Sequence, residues 1–212
     1  ICGLAQSGKD TIGNYLVEKH DYIKMSFASP LKEIVDCILW KNIEISNPSQ
    51  MMRYLHVDYK DGLCLQKDLE EWQKLAAEYN ITQYSTKQEK RILLQIIGTD
   101  YMRKYNPDIW IDSMADRITE CVSIFEDKLL KFVITDVRFT NEADFIHNIG
   151  GKIIRVIRDE GTPNIDSSLS MHTSETETEL IKPDYTISAE SGDLQKLYSE
   201  TERIIAIPTL PV

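Results

Sequence analysis

The residues Gly3-Leu4-Ala5-Gln6-Ser7-Gly8-Lys9-Asp10-Thr11 carry the clearest chemical signal in the sequence. They fit GxxxxGK followed by an acid and a hydroxyl, just ahead of an amphipathic stretch. Glycines at both ends let backbone N–H groups wrap an anion with no Cβ in the way. A helix that starts there turns its positive end toward the same anion. Lys9 then reaches the β- and γ-phosphates of a nucleotide, with Gly3, Ser7, Gly8, Asp10 and Thr11 completing the cradle. Asp10 stands where Ser or Thr usually meets Mg2+. Two readings of it stay open. It meets the metal, directly or through water, or it only complements the helix dipole. Thr11 is placed to touch the α-phosphate.

A second signal lies at Asp136 and Arg138. The apolar run Lys131 to Thr135 leads straight into Asp136-Val137-Arg138. An acid at a strand end beside a phosphate loop is where a metal-organising Asp belongs, because ligand crevices of open α/β sheets lie at the strand carboxyl ends. If the backbone stays extended, Arg138 faces the same side as Asp136. That would pair an acid for the metal with a cation for an acceptor phosphate; a structural ion pair is the plainer reading.

A third signal is a ridge. Arg91, Gln95, Thr99 and Arg103 recur every fourth residue, with Leu93, Leu94, Ile97 and Tyr101 on the other side. A half-buried arginine needs an anion, and the Gln95 amide can both give and accept hydrogen bonds at a base edge. Ile92 and Ile96 interrupt the polar stripe. Gly98 costs about 1 kcal/mol against Ala in a helix, which hints at close packing or a bend. Trp110 could stack on a base, although such a residue alone is more often a core aromatic. Farther on, Arg155 and Arg158 flank Val156-Ile157 ahead of a polar segment. Lids over transferring phosphates carry such arginines; Arg158 is the better lid cation, and Arg155 is the one to be structural. His172, in the same region, is not assigned a catalytic role.

These residues need elements to hold them. The spacing predicts a loop and helix over 3–20, strands at Tyr22–Phe27, Lys131–Thr135, Lys152–Ile157 and Asp184–Ser188, and helices at Ser29 to about Trp40, Gln66–Tyr79 and Ser85–Lys104. Further helices are expected from Asn106-Pro107-Asp108 to about Val122, at Asn141–Ile149 before Gly150-Gly151, and at Asp193–Ile205. Lys41–Asp61 is ambiguous, and Asp159–Thr178 is expected to be a polar, mobile loop. Alternating strands and helices argue for an α/β fold with a parallel sheet covered on both faces. The long strandless stretch argues for a helical insertion at about 41–123 in a core of about 1–40 and 124–212, with a lid at about 158–178.

Composition narrows the classes. The chain has 212 residues, enough for one core with an insertion. Its 24 Lys and Arg against 34 Asp and Glu leave a net charge of −10, which argues against a protein that coats nucleic acid. An anionic substrate then needs a local positive cluster. Cys2, Cys37, Cys64 and Cys121 form no CxxC pair and are expected to be free thiols in a reducing cytoplasm. No apolar run reaches a membrane span, and no secretory signal is read at the start. A phosphate loop normally follows a strand of about five residues. Only Ile1 and Cys2 precede Gly3, so an upstream segment is expected to be missing from this chain.

The runs GLAQSGKDT, RILLQIIGTDYMRKYNPDIW, ITDVRFTNEADFI, GGKIIRVIR and MHTSE, in that order, resemble the deoxynucleoside monophosphate kinases of tailed phages and large DNA viruses. The resemblance runs from Gly3 to about Leu197. It implies a three-layer phosphate-loop kinase fold and transfer of the ATP γ-phosphoryl group to a deoxynucleoside 5′-monophosphate, in the host cytoplasm for a viral protein. It further implies that Gly3, Gly8, Lys9, Asp10 and Thr11 bind ATP and Mg2+. Arg91, Gln95 and Arg103 would belong to the monophosphate pocket, and Asp136 and Arg138 would sit between donor and acceptor. A homodimer is implied as well. The match is weakest between about 41 and 85, where base contacts would lie. Other readings are a dephospho-coenzyme A or nucleoside kinase on the same fold, or a relic that binds without turnover. A GTPase switch lacks its DxxG and NKxD elements downstream of the loop.

Overall fold

The computed structural model describes residues 1–39, 63–82, 84–125, 129–159 and 173–207. In chain order its elements are α1 (Lys9–His20), β1 (Tyr22–Met25), α2 (Ser29–Leu39), α3 (Leu63–Glu78) and α4 (Lys87–Gln95). A π-helical segment, Ile96–Met102, and one more α-turn, Arg103–Tyr105, continue α4. Then come α5 (Ile109–Ile124), β2 (Lys131–Ile134), α6 (Thr140–Asn148), β3 (Ile154–Asp159), α7 (Thr173–Leu180), β4 (Tyr185–Glu190) and α8 (Leu194–Ile205). The chain falls into two compact units, Ile1–Ser26 with Phe125–Val212, and Phe27–Ile124. Among the described residues, no helix is long and apolar enough to cross a membrane. Cys2 and Cys121 are free thiols.

The first unit is α/β with small parallel sheets. β1 pairs with β2 in parallel, from Tyr22 opposite Lys131 to Met25 opposite Ile134. β3 pairs in parallel with β4, from Ile154 opposite Tyr185 to Asp159 opposite Glu190. The short segment Ile1–Cys2 bonds to both pairs. Cys2 N–H donates to Ile154 O at 2.9 Å and Val156 N–H donates to Cys2 O at 3.0 Å, while Ile1 N donates to Ile134 O and Val137 N–H to Ile1 O at 3.3 Å. Ile1–Cys2 therefore lies between β2 and β3. Parallel strands deliver their carboxyl ends to one edge, so Gly3, Ser26, Asp136 and Arg158 emerge together there. Ile12 and Leu16 of α1, Val133, Ile154, Val156, Ile187 and Leu197 of α8 form the core beneath that edge.

The second unit is helical. Leu31, Ile34 and Val35 of α2 are buried, as are Trp72 of α3, Leu93 of α4 and Ile109 and Met114 of α5. Trp72 meets Tyr101 edge-to-face, with ring centroids 5.4 Å apart.

Four expectations change. The single helix over Ser85–Lys104 is an α-helix only to Gln95 and is π-helical over Ile96–Met102. Within that segment Gly98 presses on α2, where a Cβ would lie 2.3 Å from Leu31 Cδ2. The polar run expected as a loop instead holds α7, because Arg155 caps its last carbonyls and buried Thr178 hydrogen-bonds back to Arg138 O. Tertiary partners override composition there. The strand expected at Lys152–Ile157 runs over Ile154–Asp159, since β4 offers ladder partners as far as Glu190. Arg158 accordingly sits within a strand, one residue before its end, rather than at a loop junction. The expected ambiguous stretch 41–61 and the part of the expected lid at 160–172, with His172, lie outside the described residues.

Candidate active site

The loop between Cys2 and α1 has the backbone its glycines foretell. Gly3 has φ +138° and a Cβ there would meet Val156 O at 2.4 Å, so only glycine fits. Gly8 has φ +106° and is the N-cap of α1, which no side chain caps. An uncapped helix start is what an anion uses. Lys9 folds back over its own loop. Its Nζ donates to Gly3 O at 2.8 Å and to Leu4 O, and lies 3.5 Å from the Oγ of buried Ser7. Burial, and then the nearby Arg138 charge, lower the Lys9 pKa to about 8, against the opposing pull of Asp10 and Asp136. This ammonium stands among groups whose charges it feels directly.

Asp136 follows β2 and is half-buried; its Oδ2 accepts a hydrogen bond from Ser26 Oγ at 2.6 Å. Val137 is buried and Arg138 exposed. The Arg138 backbone is held at both ends. Its N–H donates to Glu142 Oε2 at 2.7 Å and its carbonyl accepts from Thr178 Oγ1 at 3.1 Å. Glu142, 2% exposed, also accepts the Phe139 N–H at 3.2 Å, and so fixes the start of α6. Arg155, half-buried in β3, donates to Thr178 O at 3.0 Å and to Ile181 O. That is a helix C-terminal cap, the structural role expected of it. Arg158 shares the β3 face of Ile154 and Val156 and is half-buried opposite Ala189.

Asp10 is not simply the free end of a dipole. Its Oδ1 accepts from Lys24 Nζ at 2.8 Å and from Thr135 Oγ1 at 3.2 Å. Gly13, one turn on, leaves space for both partners. A Cβ there would lie 2.4 Å from Thr135 Cγ2 and 3.3 Å from Lys24 Cε. Thr11 is half-buried in the same first turn. Lys24, Ser26, Thr135, Glu142 and Gly13 are all absent from the sequence-derived site. One signal pointed to two of them: Lys24 and Ser26 are polar residues in and just after a short apolar strand whose carboxyl end faces the loop.

In the second unit, Arg91, Gln95, Thr99 and Arg103 are each half-buried, and Leu93 and Ile97 are fully buried. Arg91 and Gln95 lie on α4, Thr99 lies in the π-helical segment and Arg103 opens the α-turn after it. Arg103 Nη1 donates to Pro107 O at 2.9 Å. Trp110 is only 4% exposed and its Nε1 donates to Gly98 O at 3.1 Å. Its ring is thus packed inside the unit instead of lying open for a base, and its polar edge holds the π-helical segment.

The donor set suits a nucleotide with its metal. Among the described residues no three His, Cys, Asp or Glu side chains cluster to hold an ion by themselves. Mg2+ characteristically takes one or two carboxylates plus phosphate oxygens and water, and Asp136, in electrostatic reach of Lys9, can supply such a carboxylate.

Comparison with known proteins agrees with this chemistry. A family model for deoxynucleotide monophosphate kinases matches residues 41–201, and the chain belongs to that family. It is 29% identical over 206 residues to an Acanthamoeba polyphaga mimivirus protein that carries the deoxynucleotide monophosphate kinase name, covering 94% of this chain and 91% of the relative. It is 23% identical over 249 residues to the deoxynucleotide monophosphate kinase of Escherichia phage RB69, covering 97% of this chain and 98% of the relative.

Proposed function

We propose that this chain transfers the γ-phosphoryl group of ATP to a deoxynucleoside 5′-monophosphate, giving the deoxynucleoside diphosphate and ADP. The observation that carries the proposal is Lys9, folded into a glycine loop with Asp136 and Arg138 in electrostatic reach, in a member of this kinase family. The loop N–H groups and Lys9 bind the β- and γ-phosphates. Lys9 swings from its own carbonyls to phosphate oxygens, which are better partners for an ammonium. Asp136, oriented by Ser26, is the residue to hold Mg2+, and the ion would supply charge neutralisation on the phosphoryl oxygens.

Arg138 and Arg158 share the negative charge that spreads over the transferring group. The acceptor phosphate oxygen is already a nucleophile, so no strong general base is needed, and positioning plus charge stabilisation carry the reaction. Arg91, Gln95 and Arg103 take the monophosphate and its base, while Trp110 supports them from behind. The three-layer kinase architecture, the insertion at about 41–123, the lid at about 158–178 and a homodimer belong to this same reading. Another small-molecule acceptor on the fold is not favoured by the family match.

The test is ADP release from Mg·ATP against a panel of deoxynucleotide and ribonucleotide monophosphates, with Lys9→Ala as control. Release with deoxynucleotides, lost in the control, supports the proposal. ATP binding without ADP release for any monophosphate sinks it.

A further inference from the structure

We infer that Lys24 is a positioning residue that cancels the charge of Asp10, so that an acid can stand in the phosphate loop without repelling the triphosphate. The inference rests on the phosphate-loop reading above and goes beyond it by naming a residue outside the loop. Asp10 follows directly on Lys9, the residue whose positive charge must attract the nucleotide. An uncompensated carboxylate there would offset that charge. The fold answers with a cation from the neighbouring strand. Lys24 Nζ lies 2.8 Å from Asp10 Oδ1 and 2.9 Å from Asn14 Oδ1, so it bridges two successive turns of α1. Thr135, just after β2, donates a further hydrogen bond to the same Asp10 oxygen. The lysine stem lies against Gly13, where a Cβ would come within 3.3 Å of Lys24 Cε. Two donors, Lys24 and Thr135, thus converge on one carboxylate oxygen.

The Asp10 side chain is 73% exposed, so water screens the pair and its worth to stability is small. Its effect falls on the charge that an incoming anion meets. This separates two roles for Asp10. As a compensated charge, it can be neutralised without loss once Lys24 is also gone. As a metal contact, it cannot.

The experiment is equilibrium binding of a fluorescent ATP analogue, with Mg2+ and separately with EDTA, to the wild type, Lys24→Met, Lys24→Arg, Asp10→Asn and the Asp10→Asn/Lys24→Met double variant. Lys24→Met should weaken binding by about three- to fivefold, the range of an exposed charge pair, both with and without the metal. Lys24→Arg and the double variant should bind within about twofold of wild type. Lys24→Gln gives the same comparison if Lys24→Met does not fold. The inference is overturned if Lys24→Met binds as wild type does, or if Asp10→Asn fails to rescue it. It is equally overturned if Asp10→Asn alone loses affinity only when Mg2+ is present, which would make Asp10 a metal contact. A wild type that binds no ATP in any condition would instead remove the phosphate-loop reading, and this inference with it.

Discussion

Lys9 spends its ammonium on the carbonyls of its own loop, in surroundings that favour the neutral amine. With its pKa lowered to about 8, the side chain is charged below that pH and neutral above it in the nucleotide-free protein. A bound triphosphate restores the charge. ATP affinity should therefore fall as pH rises through about 8, and binding at higher pH should draw a proton into the complex; calorimetry in buffers of differing ionisation enthalpy reads that proton directly. The same group lowers ligand-free stability below pH 8, because the unfolded lysine holds its proton more tightly, and this penalty lifts as pH climbs toward the unfolded value. Glu142 offers a second residue-level test. It accepts two backbone N–H groups around Arg138 while almost wholly buried. Glu142→Ala should cost about 1–3 kcal/mol in denaturant unfolding, the range for stranded buried donors. The loop glycines were legible in the sequence because their positive φ values leave no other residue type free of strain. The Lys24–Asp10 pair was not, because it spans 14 residues and exists only once β1 lies beside α1.

At the scale of elements, the helix from Lys87 onward shows what periodicity leaves out. A four-residue repeat fits an α-helical and a π-helical turn alike, so it does not announce the π-helical segment, in which the Gly98 carbonyl accepts the Trp110 N–H. Gly98 did signal close packing, and the structure finds Leu31 there. Trp110→Phe keeps the ring and removes the N–H bond to Gly98. It should raise the acceptor KM severalfold with the ATP KM unchanged, whereas a purely structural loss would move both together; steady-state kinetics with each substrate varied in turn decide this. Gly13→Ala sets two effects against each other. Alanine gains about 1 kcal/mol of helix propensity, while a Cβ 2.4 Å from Thr135 overpacks the α1 contact at about 1–3 kcal/mol. Net destabilisation with weaker ATP binding is expected, read by thermal unfolding with and without nucleotide. The α7 helix was illegible for a related reason, since its polar sequence is held by Arg155 at one end and by the hydroxyl of Thr178.

For the whole molecule, acid sensitivity has a traceable source. Burial pushes the Asp184 carboxyl upward, but the Ile153 N–H, His147 and Lys152 outweigh it and hold its pKa below the usual value. Its contribution is present above the unfolded carboxylate pKa and is lost as pH falls through the folded one. Asp184→Asn should therefore be less stable at neutral pH and show a flatter acid limb, measured by melting temperature against pH. The alternation of strands and helices was readable from apolar runs, which is why the α/β class emerged early. Strand ends were not, because ladder partners set them. One arrangement reaches beyond the folded state. Ile1 bonds to Ile134 across 133 positions of chain, and Cys2 bonds farther still, to β3. The segment that feeds the phosphate loop is thus made well before β2 and β3 and must wait for both before it can pair. Such long-range closure folds slowly. On a ribosome this loop could take its shape only once β3 has been made, and a chain halted before β3 would carry the motif without the means to shape it.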